Sequence, residues 1–481
     1  MFPSLPHTDE DLRVMLQAVG AKDLDELFGD VPAGLLLEKD LPLEPGLSEF
    51  EVRRRLAALA EGNRTDRVCF LGCGSYEHLI PSVVGHLIGR SEFYTAYTPY
   101  QAEMSQGILQ AIFEFQTLMC ELTALEVSNA SLYDGHTAAC EAASLALNSV
   151  RRSNRILYSR TLHPYTRRVL RTHFANLDVE LVEVAARGGV TDRQDLAAKL
   201  SPGVAAVIVQ SPNVFGYVED FGPDGGAGGG AGKGAGTGAA GLPAAASEEG
   251  ASLAELVHAN GSLLVVCANP LSLGVLRPPG QWGADVAVGD VQPFGLPSYF
   301  GGPSAGYITA REALLRKMPG RIVGQSLDRQ GRRAFLLTLQ AREQHIKRER
   351  ATSNICSNQA LAALAAAVYL AAVGRGGFRQ VAEQCLHKAH YLYDRVREVP
   401  GVKPLHRRPF FNEFSLVLPK DTKLVLAAME EEGFFAGVDL GGLDPELAAG
   451  SGKSVLTVAV TEARTREEMD RYADALRRVL R

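Results

Sequence analysis

A loop of tyrosines and polar side chains precedes a predicted helix. Residues 93–106 contain Tyr94, Tyr97 and Tyr100 together with hydroxyl, amide and carboxyl side chains, which are Thr95, Thr98, Gln101, Glu103 and Gln106. Pro99 fixes its own φ and favours an extended residue before it, so a shaped loop is expected here rather than a helix. Such groups can line a ligand pocket or form hydrogen bonds across a subunit interface. The residues alone leave both interpretations open.

A turn of small residues opens a second candidate site. Residues 129–137 run from Asn129 through Tyr133-Asp134-Gly135 into the alanine-rich segment 138–147. Backbone N–H groups at a helix start, with the positive end of the helix dipole, can bind phosphate. The alternative is an ordinary helix cap made by Ser131 or Asp134.

The middle of the chain alternates between predicted strands and helices. The strand-like segments are 156–159, 179–184, 205–210, 263–267, 285–288 and 305–309, with a helix predicted over 163–173. This spacing predicts parallel βαβ units in a doubly wound α/β domain. Ligands of such domains bind at the carboxyl ends of the strands. The turns expected to matter most therefore begin at His163, Ser211, Ala268 and Gly289.

Three structural regions are expected along the chain. Capping signals at Thr8 and Ser48 predict an N-terminal helical arm over 1–65. The large α/β domain is predicted over 66–318, and a smaller C-terminal α/β domain over 319–481. A Gly/Ala-rich run at 221–250 interrupts the large domain. Although 236–241 matches a dinucleotide-binding pattern, no strand precedes it, so a flexible surface insertion is predicted.

Composition excludes several classes of protein. The formal net charge of -6 and the lack of a Lys/Arg run argue against nucleic acid as a partner. The longest apolar stretch, 360–373, is shorter than the roughly 20 residues of a membrane-spanning helix, so no membrane association is expected. The seven cysteines lack the spacing of zinc ligands, so no metal site is expected. Unpaired cysteines predict a reducing compartment, the cytoplasm.

Several motifs together resemble one enzyme family. They are Phe93-Tyr-Thr-Ala-Tyr-Thr-Pro-Tyr-Gln, Ser105-Gln-Gly, Ala111-Ile-Phe-Glu-Phe-Gln-Thr, Tyr133-Asp-Gly, Gly289-Asp-Val-Gln-Pro-Phe-Gly, Arg342-Glu-Gln-His-Ile and Ala351-Thr-Ser-Asn-Ile-Cys-Ser-Asn-Gln-Ala-Leu. The chain resembles the P-proteins of the glycine cleavage system, and among them the N-terminal subunits (alpha, subunit 1) of two-chain glycine decarboxylases. The resemblance covers the whole chain except the Gly/Ala-rich run. Ala102 departs from it, since the family usually has a second proline there.

The resemblance implies a fold, a cofactor and partners. The fold would be the fold-type-I pyridoxal-phosphate-enzyme architecture. Subunit 2 would carry the lysine that binds pyridoxal 5'-phosphate covalently, and the two chains would form an α2β2 heterotetramer. The holoenzyme would decarboxylate glycine, pass the aminomethyl group to the lipoyl arm of H-protein and release carbon dioxide.

The residues support such a division of labour independently. Schiff-base chemistry needs a lysine after a late strand and a carboxylate that holds the pyridinium nitrogen protonated. Here the corresponding turn contains Gln292, and no lysine follows before Lys317. Asn269 stands where the carboxylate is expected. No catalytic residue is therefore predicted in this chain.

The same resemblance gives the tyrosine loop a role. Because fold-type-I pockets lie at a subunit interface, the contributions to the partner's cofactor pocket are expected from Tyr97, Thr98, Tyr100, Gln101 and Glu103. His163 is either a relic of a ring-stacking histidine or a helix-start residue. Two other functions stay open, a self-sufficient pyridoxal-phosphate enzyme of the aminotransferase or desulfurase type, and a purely structural subunit.

Overall fold

The structure is a computed structural model that describes residues 6–37, 39, 41–94, 101–222, 251–298, 301–448 and 454–481. The chain forms two compact units, Met1–Thr65 and Asp66–Arg481. The boundary predicted at residue 318 lies inside the second unit and stays a prediction.

Two helices make up most of the first unit. Helix α1 (Asp9–Val19) begins at a capping box of Thr8 with Asp11 and ends at Gly20, which has a left-handed φ of 74°. Helix α2 (Glu49–Glu61) begins at a second capping box. Neither helix buries a residue, and both present exposed apolar side chains, which include Val14, Val19, Phe50, Leu56 and Leu59.

A seven-stranded sheet organises the second unit. Its strands in chain order are β1 (Val127–Ser128), β2 (Arg155–Ser159), β3 (Glu180–Val184), β4 (Val204–Ser211), β5 (Leu263–Ala268), β6 (Val286–Asp290) and β7 (Gly306–Ala310). The spatial order is β1-β7-β6-β5-β4-β2-β3. The five strands from β6 to β3 are parallel, whereas β7 is antiparallel to both of its neighbours.

Helices cover both faces of this sheet. They are α3 (Gln106–Thr123), α4 (Gly135–Ser149), α5 (Pro164–Phe174), α6 (Arg193–Lys199) and α7 (Leu253–Ala259). Successive residues of β4 face opposite layers, because Ile208 packs in a cluster with α4 while Val207 and Val209 pack with α6 and α7. The central strands β4 and β5 are therefore largely apolar, as expected of a parallel sheet buried on both faces.

The longest helix is α8 (Ala360–Val396), which is interrupted at Gly374 by a φ of 60° and a ψ of 179°. By length and composition it is the single helix of the described chain that could cross a membrane, and 44% of its most apolar window is buried. Its inner face packs in two core clusters, which include Ala366, Leu386 and Leu392. Core helices of soluble proteins pass the same test, so the helix is weak evidence for a membrane span.

A smaller antiparallel sheet follows. Its strands are β8 (Lys403–Pro404), β9 (Glu413–Val417), β10 (Val438–Asp439) and β11 (Val455–Ala459), in the order β8-β9-β11-β10. Helices α9 (Thr422–Glu431) and α10 (Arg466–Leu480) pack against it, and Thr465 with Glu468 forms a capping box at the start of α10. Phe70, from far earlier in the chain, joins this core through Tyr472, with ring centroids 4.5 Å apart.

Short elements complete the described chain. The remaining strands are Val68–Cys69 with Phe434–Phe435, Ala186–Arg187 with Val190–Thr191, and Ile322–Leu327 with Arg333–Thr338. The remaining α-helices are Ser82–Ile88, Ser91–Tyr94, Gln344–Lys347, Leu440–Leu443 and Pro445–Ala448. The predicted fold class, a large and mainly parallel sheet with a smaller α/β region, is confirmed.

Candidate ligand pocket

A pocket of about 120 Å³ lies at the carboxyl ends of the parallel strands. The predicted turns meet there. After β2, β4, β5 and β6 they contribute lining residues that include His163, Asn213, Asn269 and Asp290. Gly135 and His136 at the start of α4 line the same pocket, and Gly74, Tyr76 and Glu413 close it. The expectation that these turns surround one site is confirmed.

Carboxylates of the chain itself occupy the start of α4. The Asp134 side chain accepts a hydrogen bond from Thr137 N–H at 2.7 Å, which makes it the helix cap. Asp290 Oδ2 accepts from Gly135 N–H at 3.1 Å, and its Oδ1 accepts from Gln292 N–H at 2.8 Å. The capping interpretation is therefore correct. A phosphate group here would meet two carboxylates and N–H donors that already have acceptors.

Glu413 enters the pocket from β9 and is 4% exposed. Its Oε1 accepts from Cys73 N–H at 2.6 Å, and its Oε2 accepts from the Tyr76 hydroxyl at 3.1 Å. Burial raises the pKa of Glu413 to about 7, and burial likewise raises the pKa of Asp290 to about 6. Both carboxyl groups are therefore desolvated acids, and their hydrogen-bond donors among the described residues are all uncharged.

Two imidazole rings form part of the wall. His136 and His163 have ring centroids 5.1 Å apart, and His136 Nδ1 is 2.7 Å from the Thr166 hydroxyl. His163 Nδ1 accepts from Tyr165 N–H at 3.1 Å, so His163 caps α5 while also lining the pocket. Burial, and then the neighbouring His136, lowers the pKa of His163 to about 3. The ring is neutral at physiological pH, with its proton on Nε2.

The pocket does not fit pyridoxal 5'-phosphate held as a Schiff base. Among the described residues that line it there is no lysine. Gln292, in the turn where the lysine was expected, instead donates to the carbonyls of Tyr76 and Leu296, both at 2.8 Å. Asn269 Oδ1 accepts from Leu271 N–H at 3.0 Å and cannot act as a pyridinium carboxylate. The carboxylates at the start of α4 also disfavour a phosphate.

The tyrosine loop lies only partly within the described residues. Tyr97, Thr98 and Tyr100 fall outside them. Gln101 and Glu103 are exposed in the turn before α3, and neither lines the pocket of its own chain. Their proposed contact with a partner therefore stays a prediction.

Sequence reasoning missed Tyr76 and Glu413. They are 337 residues apart in the chain, and the hydrogen bond between them closes one wall of the pocket. The available signal was a glutamate at the start of an otherwise apolar strand, since Glu413 precedes Phe414 and Leu416. A buried carboxyl in such a position needs a polar partner or a ligand.

A second polar cluster lies outside the pocket lining. Potential metal-binding atoms of His78, Cys385 and Glu462 lie within 4.8 Å of one another. Hydrogen bonds already join them, with His78 Nδ1 2.8 Å and Cys385 Sγ 3.2 Å from Glu462 Oε2. These hydrogen bonds pair His78 Nδ1 and Cys385 Sγ with the Glu462 carboxylate, whereas His78 Nε2 has no hydrogen-bond partner among the described residues.

Comparison with known proteins decides the family. A family model of the glycine cleavage system P-protein matches residues 3–223 and 245–476. The chain belongs to the glycine cleavage system P-protein family. Its relatives include the probable glycine dehydrogenase (decarboxylating) subunit 1 of Moorella thermoacetica, 49% identical over 99% of each chain. The protein of the same name from Geobacillus kaustophilus is 46% identical over 98% of each.

Solved structures agree with the P-protein assignment. The crystal structure of glycine decarboxylase (P-protein) of the glycine cleavage system, in inhibitor-bound form, superposes with a TM-score of 0.85 and 42% identity over 99% of each chain. A sphingosine-1-phosphate lyase from Burkholderia pseudomallei has a TM-score of 0.63 at 14% identity over 93% of each chain, which shows the fold alone. The fold is thus the fold-type-I pyridoxal-phosphate architecture, as the resemblance implied.

Proposed function

We propose that this P-protein is subunit 1 of a two-chain glycine decarboxylase. The holoenzyme decarboxylates glycine, transfers the aminomethyl group to the lipoyl arm of H-protein and releases carbon dioxide. Pyridoxal phosphate, bound covalently by subunit 2, supplies the electron sink for decarboxylation. The observation that carries the proposal is the combination of a P-protein fold with a pocket whose described lining has no lysine.

The lysine-free pocket supports the proposal that this chain assists catalysis by subunit 2. A self-sufficient pyridoxal-phosphate enzyme needs an amino group in the turn that Gln292 and Pro293 occupy. Gln292 is instead 6% exposed, and its side chain is bonded to three backbone groups: it accepts from Tyr76 N–H and donates to the carbonyls of Tyr76 and Leu296. Relatives named subunit 1 at 45% to 49% identity over nearly the full length support the same assignment.

The tyrosine loop completes the pocket of subunit 2. Tyr97, Thr98, Tyr100, Gln101 and Glu103 orient the cofactor phosphate and glycine there, while this chain contributes no catalytic residue of its own. The exposure of Gln101 and Glu103 supports this role, because both side chains are available to another chain.

A partner subunit also suits the surface of the first unit. Phe50 is 69% exposed on α2 and Val19 is 67% exposed on α1. Exposed apolar side chains in such number are typical of a surface that another chain covers. The assembly is an α2β2 heterotetramer in the cytoplasm, and lipoylated H-protein binds to that assembly.

Visible absorbance tests the assignment directly. The purified chain is mixed with pyridoxal phosphate, alone and then with subunit 2, before and after borohydride reduction. We expect no lysine-bound cofactor band from the chain alone, and a band with glycine-dependent release of carbon dioxide on mixing. A reducible band that maps to a lysine of this chain alone would make it a self-sufficient enzyme.

Substitutions in the loop test its role in the partner's pocket. Tyr97→Phe and Glu103→Gln in the reconstituted complex are expected to lower glycine turnover or cofactor affinity at least about tenfold, the effect of losing roughly 1.4 kcal/mol of binding. Tyr94→Phe, in the same segment but outside the proposed set, is the matched control. Unchanged turnover and cofactor affinity in both test variants would leave only a structural role for the loop.

A further inference from the structure

One wall of the pocket carries the Glu413 carboxyl group, and the other carries amide donors together with the Asp290 carboxyl group. Glu413 projects from β9 of the smaller sheet, while His163, Gln210 and Asn269 lie at the carboxyl edge of the larger sheet. A ligand between the two walls would contact both sheets. Its chemistry can be inferred from the groups that the protein leaves incompletely bonded.

Glu413 has room for a further donor on each oxygen. Oε1 accepts one hydrogen bond, from Cys73 N–H, and Oε2 accepts one, from the Tyr76 hydroxyl. Each carboxylate oxygen can accept two. Neither partner is a cation, and a buried carboxylate is stabilised by one. An ammonium group of a ligand would supply both the donors and the charge.

The opposite wall offers donors that need acceptors. Gln210 uses its Oε1 to accept from His163 N–H at 2.8 Å, and Asn269 uses its Oδ1 to accept from Leu271 N–H. Their amide NH₂ groups donate no hydrogen bond to any other described residue. Such donors suit a carboxylate ligand group.

The pocket volume limits the size of the ligand. An engineered apolar cavity of about 150 Å³ in another protein holds one benzene molecule. The pocket here, at about 120 Å³, is slightly smaller. Glycine is smaller than benzene, whereas an amino acid with a large side chain is not.

We propose that this pocket binds a small amino acid as its zwitterion, with the ammonium group at Glu413 and the carboxylate at the amide donors of Gln210 and Asn269. The choice of glycine among small amino acids rests on the proposed function, in which glycine is the substrate. Subunit 1 then senses the concentration of the same molecule that the holoenzyme consumes. Because the ligand bridges the two sheets, its binding stabilises the fold of the second unit.

Calorimetric titration of the purified full chain tests this proposal. Glycine is titrated first, then methylammonium, acetate and L-leucine as probes of charge and size. We expect one saturable glycine site per chain, weaker binding of methylammonium, and no heat of binding from acetate or L-leucine. Glycine should also raise the melting temperature of the chain.

Variants locate the site. Glu413→Gln keeps an acceptor for Cys73 N–H and a polar group for Tyr76, so the fold should persist, while the dissociation constant for glycine should rise at least tenfold. Glu141→Gln is the matched control, because Glu141 is also a buried carboxyl but does not line the pocket. It should bind glycine as the unsubstituted chain does. Circular dichroism of each variant checks that it is folded.

The outcomes separate this inference from the proposed function. Absence of glycine binding to the folded chain, equal binding by Glu413→Gln, or acetate binding as well as glycine would overturn the pocket proposal. Turnover after mixing with subunit 2 would still uphold the assignment as subunit 1. Conversely, glycine binding without turnover on mixing would uphold the pocket and overturn that assignment.

Discussion

Folding of the chain disfavours the ionised form of Glu413. Its carboxyl group is almost completely removed from water, and within the described part of the chain it accepts hydrogen bonds only from Cys73 and Tyr76. Burial is the main cause of its raised pKa, about 7 instead of the usual 4.5. Between these two values the folded chain binds a proton that the unfolded chain releases.

The raised pKa of Glu413 predicts a pH-dependent loss of stability. Since the folded state binds more protons between about pH 4.5 and 7, the contribution of Glu413 to the free energy of unfolding falls as pH rises through this window. Glu413→Gln removes that contribution. From pH 5 to pH 8 we expect the variant to gain about 2 kcal/mol relative to the unsubstituted chain in urea unfolding.

The exposed Glu467 provides the control for this measurement. Glu467→Gln should follow the pH profile of the unsubstituted chain. A Glu413→Gln profile parallel to that of the unsubstituted chain would show that Glu413 has an ordinary pKa in the folded state.

At the same scale, the sequence predicts which catalytic groups are missing from the pocket better than it predicts which residues line it. Gln292 and Asn269 were identified because each follows a predicted strand closely. The local sequence is enough to predict the position of a residue just after a strand. Tyr76 and Glu413 could not be paired in this way, because their contact depends on how the two sheets pack. Sequence patterns report local periodicity, and they carry no information on that packing.

At the scale of elements, the turn after β4 determines how close the two sheets come. Asn213 Oδ1 accepts from Phe215 N–H at 3.0 Å, which tightens the turn. Gly216 then has a φ of 85°, and a Cβ at this position would lie 1.9 Å from the backbone oxygen of Glu413. The absence of a side chain at residue 216 thus allows β9 to approach the pocket.

Gly216→Ala should be strongly destabilising for this reason. The added methyl group would overlap the backbone of β9, and we expect the free energy of unfolding to fall by about 3 kcal/mol or more. Gly261→Ala is the matched control, since Gly261 has a φ of 78° but no atom within 4 Å of an added Cβ. That control should lose only about 1 kcal/mol, through backbone strain. Equal losses in thermal or urea unfolding would show that the contact with β9 is unimportant.

The elements themselves were largely predictable. Segment 205–210 appears as β4 (Val204–Ser211) and segment 263–267 as β5, because runs of apolar β-branched residues suit a strand buried on both faces. Helix α5 was predicted within one residue at each end, since Pro164 suits the first turn. The order of strands in the sheet required the structure, because hydrogen bonding between β2 and β4 skips β3.

At the scale of the whole molecule, the residues that flank the Gly/Ala-rich run lie close to each other. Leu253 N–H donates to the Phe221 carbonyl at 3.0 Å, although most of the run lies between them in the chain. The P-protein family model likewise omits 224–244. This hydrogen bond therefore joins the two flanks of the run directly.

Replacing 223–250 with a short Gly-Ser linker should leave the molecule intact. The residues on either side are already within hydrogen-bond distance, so the linker bridges a short gap at little entropic cost. We expect a melting temperature within about 3 °C of the full chain and unchanged glycine turnover in the complex with subunit 2. A length-matched Gly-Ser replacement controls for composition. A large loss of stability or turnover in both would assign the run a role in the fold.

The contact between Tyr76 and Glu413 has a consequence for synthesis on the ribosome. The two residues are 337 positions apart, so at about 5 to 20 residues per second roughly 20 to 70 s separate their emergence. Phe70 lacks its ring contact with Tyr472 for longer still, because Tyr472 lies near the end of the chain. During that interval the nascent chain presents Phe70 and Tyr76 without their partners, so the apolar surface of this segment is exposed to solvent until translation is almost complete.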